Sequence, residues 1–466
     1  MTAGTLPDVV LLEIFDFYLA GEDDIDEVDD WHTLIHGCWR WRKAVFSSPR
    51  RLNLQLLCTP RRPITDILNI WPELPIYVCY DDFPVVEDTD NVIAALKLNG
   101  SVSRIKLAVM SNSALWNTFV AVMQDPFPML EALSLESYHD RTPIISDSFM
   151  GGSAPRLQNL FLRDVVFPAL PNLLLSATDL VFLWLWDIPH SGYISPEAMV
   201  ACMSVLTRLK SLSLQFRSPR SCPDNRGSRF LTLLKRTLLP ALTYLDFVGV
   251  TEYLEDLMAQ IDVPLLENTN ITFFNRLVFD ILQFPNLVCR TEQFSVFNQA
   301  DVLLTSYNIT ITLSTKFGTV DSIKLKLGVS CRKLDWQLSA LAQVCNSCLP
   351  TLPSLERLSI CDEQYLSPAW QDDMENTQWL ELLHPFVAVK DLYLSKKVAL
   401  RVASALQGLS EERAIEVLPA LQGVFIDGLQ PSGRVRGVFQ KFVTTRGRQV
   451  SGHPVAIHSW MRGKGG

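Results

Sequence analysis

The chain has 466 residues, 48% of them hydrophobic and 20% charged, with a net charge of -9. That balance supplies ample core for one large repetitive domain or for two to three compact ones. Net negative charge argues against nucleic-acid binding, and the most apolar later stretch, Leu170 to Ile188, is broken by Pro171 and Asp179 and reads as a strand and its approach, not a membrane span.

Charge is unevenly spread. Seven acids crowd Glu22 to Asp30, and after Asp427 there is no acid but seven lysines and arginines. Such runs are ordinarily solvated loops or tails. Cys79, Cys202, Cys289 and Cys361 sit in apolar or strand-like runs, as buried free thiols do. No basic region leads the first apolar residues, so a reducing compartment, cytoplasmic or nuclear, is expected.

The first predicted element is a helix opened by Pro7 and Asp8. Proline loses nothing at a first helical position, and an acid beside it suits the helix dipole. Val10, Ile14 and Phe17, with Val9, Leu12, Phe15 and Leu19, give two adjacent apolar faces. A helix apolar over that much of its girth needs two partner surfaces. The acidic run follows as a loop. Trp31, Leu34, Ile35, Cys38, Trp41 and Val45 then recur at helical spacing, predicting one helix that ends at Ser47-Ser48-Pro49. Leu52, Leu54 and Leu56 alternate as a half-buried strand.

Leu6-Pro7, Ile14-Phe15, Trp31, Leu34, His36, Cys38, Trp41-Arg42, Ser48-Pro49 and the leucine alternation resemble the F-box of fungal F-box-like proteins. Val9 stands where that family usually has an acid, and Gly37 and Trp39 where valine and arginine are common. A glycine within a helix costs about 1 kcal/mol against alanine. The resemblance implies a three-helix module that docks on the Skp adaptor, and through it a cullin, in a cullin-RING ubiquitin ligase. It points to Leu6, Pro7, Ile14, Phe15, Leu34, Cys38 and Trp41 as adaptor-binding residues.

After a break at Cys58 to Pro63, Ile76, Val78 and Tyr80 predict a strand and Asn91 to Leu98 a helix. A Pro-x-Leu-x-x-Leu-x-Leu pattern then recurs from Pro128, Pro155, Pro240, Pro353 and Pro419, and without the proline around Leu183, Leu212 and Leu392. A repeat of roughly two to three dozen residues is the mark of a solenoid. Its core resembles a leucine-rich repeat, which implies short parallel strands with helices such as Pro196 to Leu206 and Thr377 to Leu383 behind them. Residues 268–329 depart from this and read as ordinary strands. The closing segment resembles the end of the same fungal proteins, with a helix through Val435, Val438 and Phe442 and a strand from Val450 to Ile457.

Catalytic and metal motifs are not found. Cys345-Asn-Ser-Cys348 lies on an apolar helical pattern, which favours buried thiols over a zinc site; His32 and His36 lack a third ligand. No phosphate loop or nucleophile elbow is present. Trp184 and Trp186 alternate with Leu183 and Leu185, so if the leucines face the core the tryptophans face the concave surface, where exposed aromatics are the usual anchors of an interface. With Arg217 and Arg220 they are the candidate substrate-binding residues.

The expected fold is mixed α/β: an F-box-like module (1–58), a connecting segment (59–100), an irregular leucine-rich-repeat-like solenoid (101–431) and a capping segment with a basic tail (432–466). The expected function is non-enzymatic: a substrate-recognition subunit without cofactor or metal that binds a protein substrate. The alternative is a repeat scaffold outside any ligase.

Overall fold

The computed structural model describes residues 6–19, 31–48, 51–52, 54–61, 64, 68–69, 74–81, 89–110, 113–138, 142–221, 236–274, 282–315, 324–331, 334–349, 352–363, 376–407, 409, 413, 416–429, 434–447 and 455–460. The acidic run 22–30, Pro49, and residues 450–454 of the strand expected over 450–457 lie outside the described residues. The chain forms two compact units, Met1–Tyr193 with Val205–Leu209, and Ile194–Ser204 with Lys210–Gly466.

The first unit opens with helices α1 (Asp8–Leu19), α2 (Trp31–Gly37) and α3 (Trp39–Ser47). The single helix expected over 31–47 is thus corrected to two. Cys38 between them is extended, at φ -162° and ψ 166°. At Gly37, the last residue of α2, a Cβ would stand 2.7 Å from Cε3 of Trp41. Leaving that position bare lets the Trp41 ring close on the hairpin, where it meets Phe15 edge-on at 5.2 Å. The Trp31 indole N–H donates to the Gln55 carbonyl at 3.0 Å, tying the helices to the chain that follows.

Six parallel strands come next, each beside its predecessor: β1 (Leu56–Cys58), β2 (Ile76–Asp81), β3 (Val102–Val109), β4 (Ala132–Ser137), β5 (Asn159–Arg163) and β6 (Phe182–Ile188). Helices α4 (Asp90–Leu96), α5 (Ser113–Val122) and α6 (Leu170–Ser176) intervene. Two expectations change. Leu52 and Leu54 are buried but lie before the strand, which begins at Leu56. The stretch from Leu170, expected to be a strand and its approach, begins as α6, with Pro171 in the first turn, where its missing N–H costs nothing.

In the second unit α7 (Pro196–Met203) leads to β7 (Ser211–Phe216), β8 (Thr237–Leu238), β9 (Tyr244–Gly249), α8 (Thr251–Gln260), β10 (Ile261–Asp262) and β11 (Asn268–Phe274). Then come α9 (Gln283–Arg290), β12 (Gln299–Leu304), β13 (Asn308–Ser314), β14 (Lys324–Ser330) and α10 (Leu334–Cys348). The unit ends with β15 (Arg357–Asp362), α11 (Asn376–Leu383), β16 (Asp391–Leu394), α12 (Lys396–Gln407), β17 (Gly423–Asp427), α13 (Arg434–Gly447) and β18 (Ala456–Trp460). β8 and β10 pair separately. α7 starts as its sequence dictates: the Ser195 hydroxyl accepts the Ala198 N–H, Pro196 fills the first turn, and Glu197 follows.

The main sheet of this unit runs β7-β9-β11-β14-β13-β12-β15-β16-β17-β18. Residues 268–329 are therefore more than ordinary strands. β12 lies beside β15, the chain returns through antiparallel β13, and β14 closes against β11. Helix α10 then packs over β13 and β14 as the chain moves on to β15.

Within each unit the repeat leucines lie on a buried face. Leu133, Leu160, Leu183, Leu212, Leu245, Leu358 and Leu392 are buried, as are the partners two residues on. Burying such a side chain stabilises by about 1.5–3 kcal/mol, and each strand completes its burial only against neighbouring repeats. The result is a leucine-rich-repeat-like stack. Asp164, just after β5, and Asp187, near the end of β6, adopt φ of 50° and 52°, which a short polar side chain tolerates. Asp164 accepts from the Thr142 hydroxyl at 3.0 Å, and Asp187 pairs with Arg163 at 2.9 Å.

Candidate protein interface

Helix α1 divides its apolar residues between two environments. Leu11, Leu12 and Phe15 are buried in the hairpin, Phe15 to 1% exposure. Val10, Ile14, Phe17 and Tyr18 are exposed, Phe17 to 87%, and Val9 lies beside them. Their spacing puts Val10, Ile14, Phe17 and Tyr18 on one continuous stripe. Arg40 holds the start of the helix, bonding the Leu6 carbonyl and, at 2.8 Å, the Asp8 carboxylate. That pair is largely exposed and contributes well under about 1 kcal/mol; its effect is to set where α1 begins.

The adaptor-binding candidates accordingly separate. Pro7, Ile14 and Cys38 are exposed and Leu6 is half-buried. Phe15 and Leu34 are buried, and Trp41 is half-buried against Phe15. Phe15 and Leu34 are thus packing behind the surface, not part of it, because both fill the apolar interior between the helices. Val10, Phe17 and Tyr18 take their place on the surface. A helical wheel shows both faces but not which one the chain itself covers.

On the first unit's sheet the middle residue of each Leu-x-Leu faces away from the core. Ser134, Phe161 and Trp184 are in register there, followed by Glu136, Arg163 and Trp186. Trp184 and Trp186 are half-buried and stack on each other at 6.1 Å and 13°, with Phe161 edge-on to both. Arg163 lies over the Tyr138 ring at 4.8 Å. The Tyr138 hydroxyl donates to Glu136 at 2.6 Å; burial first, then Glu136, pushes its pKa up. Arg217 and Arg220 are exposed on the second unit, the latter in a turn over Pro219–Ser221. The four candidates are parts of two separately described surfaces.

The second unit carries a ladder that sequence reading missed. Tyr393, Phe425 and His458 are in register on β16, β17 and β18. Tyr393 and Phe425 stack at 4.5 Å, Phe425 and His458 at 5.0 Å, and Trp460 meets Tyr393 edge-on at 5.4 Å. Arg357 lies over Tyr393 at 5.6 Å. The available signal was the same as for the tryptophans: an aromatic between two buried aliphatics, in Leu392-Tyr-Leu394 and Val424-Phe-Ile426. A polar cavity of about 280 Å³ adjoins Arg357, its charges matched in the pairs Lys390–Glu356 (2.5 Å) and Arg357–Asp391 (3.9 Å).

No family model matches the chain, and no curated protein matches it. The crystal structure of the leucine-rich repeat-containing protein LegL7 from Legionella pneumophila is similar over 69% of this chain and 93% of that chain, at 10% identity and a TM-score of 0.26. Among the described residues no group of three or more His, Cys, Asp or Glu is placed to hold a metal ion. Cys331, Cys345 and Cys361 are buried thiols. No described helix is long and apolar enough to cross a membrane.

Proposed function

We propose that this chain is a protein-interaction scaffold without catalytic machinery of its own, and that it acts in the cytoplasm or nucleus as the substrate-recognition subunit of an SCF-type cullin-RING ubiquitin ligase. The observation that carries the docking half is the apolar stripe of α1, left exposed while the opposite face fills the hairpin. An exposed stripe of this kind is the surface an amphipathic helix offers to a partner. The resemblance of the first residues to an F-box supports the Skp adaptor as that partner. Leu6, Pro7, Val10, Ile14 and Phe17 make the contact, and the ligase chemistry resides in other subunits. The substrate half rests on the aromatic rows of the repeat sheet, with Trp184 and Trp186 as anchors and Arg217 and Arg220 as charged contacts.

Capture of purified Skp adaptor by the full chain tests this reading. The wild type binds. Ile14→Asp with Phe17→Asp weakens binding by at least about tenfold without unfolding the chain, because both side chains are exposed. Leu6→Asp with Pro7→Ala acts in the same direction. A wild type that does not capture the adaptor sinks the ligase reading and leaves the scaffold outside any ligase.

A further inference from the structure

We infer that β18 is an open edge that takes up an extended segment of a partner protein, one carrying an aromatic residue among acids. β18 is the last strand of its sheet, and no described strand pairs with its other side. Ala456, His458 and Ser459 are exposed. An unpaired edge of this kind is a template for a further strand, and proteins that do not use one generally cover or blunt it.

The backbone is already divided between the two sides. Ala456 donates its N–H to the Gln422 carbonyl at 2.8 Å, and the Trp460 carbonyl accepts from Gly428 at 3.3 Å. In a parallel ladder alternate residues bond to the same neighbour. Ala456, His458 and Trp460 therefore face β17, and the N–H and C=O of Ile457 and Ser459 face the open side.

Two observations describe the occupant. The ring row Tyr393, Phe425 and His458 advances by 4.5 and 5.0 Å, which matches the spacing of neighbouring strands, about 4.7–4.9 Å. His458 stacks on Phe425 and is otherwise exposed. A strand added beyond β18 places its own side chain in that row, and an aromatic there continues the stack. The second observation is charge. Beyond Asp427 the chain has seven basic residues and no acid. Arg436 and exposed Lys441 stand on α13, the helix packed against β18. Acidic flanks on the incoming strand are complementary to that end of the unit.

The test titrates the full chain into a short fluorescein-labelled peptide with one tyrosine between aspartates and glutamates, read by anisotropy. The wild type binds, and the same peptide with lysines for acids does not. Ser459→Pro removes an N–H that faces away from β17, so it leaves circular dichroism and the melting temperature unchanged but weakens binding by about tenfold or more. Arg436→Glu with Lys441→Glu also weakens it by about tenfold, and provides the charge half of the test independently of any change in the strand. Wild type that does not bind, Ser459→Pro that binds as wild type, or a lysine peptide that binds equally overturns the inference. So does self-association of the wild type that Ser459→Pro abolishes, which would make the edge a contact between copies. The inference rests on the body being a protein-binding scaffold, not on the adaptor dock. Adaptor capture on the same variants stays at wild-type level, so failure here is separable from failure there.

Discussion

Single side chains set the surfaces of this protein by what they leave out. At Gly37 any Cβ would have to displace the Trp41 ring that closes on Phe15. The glycine that looked like a penalty within a helix is the gap into which the hairpin packs. Cys58 shows the same logic in its protonation. Burial pushes its thiol up to about 12 from an ordinary 9.0, a backbone hydrogen bond from Ile64 opposes this, and Cys79 adds to it. Below pH 9 the thiol is neutral in both states. Above pH 9 the unfolded chain releases the proton and the folded chain keeps it, so stability falls as pH rises toward 12. The slope is about 1.4 kcal/mol per pH unit. Urea unfolding should therefore show the wild type losing about 1 kcal/mol more than Cys58→Ala between pH 8 and pH 10; equal losses would contradict this placement.

At the scale of elements, one helix is capped by a residue far away in sequence. The start of α9 has no side-chain cap of its own, as Leu282 stands at that position. Glu255 of α8 supplies it, accepting the N–H groups of Leu282, Gln283 and Phe284 at 2.7, 2.6 and 3.0 Å. A buried carboxylate on three otherwise unpaired donors at a helix N-terminus satisfies both hydrogen bonding and dipole. Glu255→Ala is expected to cost about 2–3 kcal/mol in chemical denaturation and to speed hydrogen exchange in α9 first. Glu255→Gln should recover part of that loss; an alanine variant as stable as wild type would show the cap to be idle. Gln337 of α10 acts similarly where the strand order is permuted. It is fully buried and donates to the carbonyls of Thr305 and Cys331, joining the helix to the turns before β13 and after β14.

For the whole molecule, the two proposed docking functions belong to different units, α1 to the first and β18 to the second. Variants at residues with no shared partners add in free energy. Phe17→Asp should weaken adaptor capture without changing peptide binding, and Ser459→Pro the reverse. A double variant should show both losses and no third. Coupling above about 1 kcal/mol would mean that one surface senses the other.

The leucine spacing alone determined the repeat strands and their buried face, because a strand's period of two and the need to hide leucine leave few choices. The helical spacing from Pro196 and the apolar girth of α1 were legible for the same local reason. Four matters were decided only in three dimensions. The break at Cys38, beside a ring packed across the hairpin, is not visible in helical spacing, and the reversed β13 belongs to a strand order that a local pattern does not encode. Burial of Phe15 and Leu34 beside the exposure of Ile14 and Phe17 depends on which face the chain covers. The aromatic row ending at His458 exists because β16, β17 and β18, far apart in sequence, come into register. Spacing dictates which side chains share a face; only packing dictates whether that face is filled or offered.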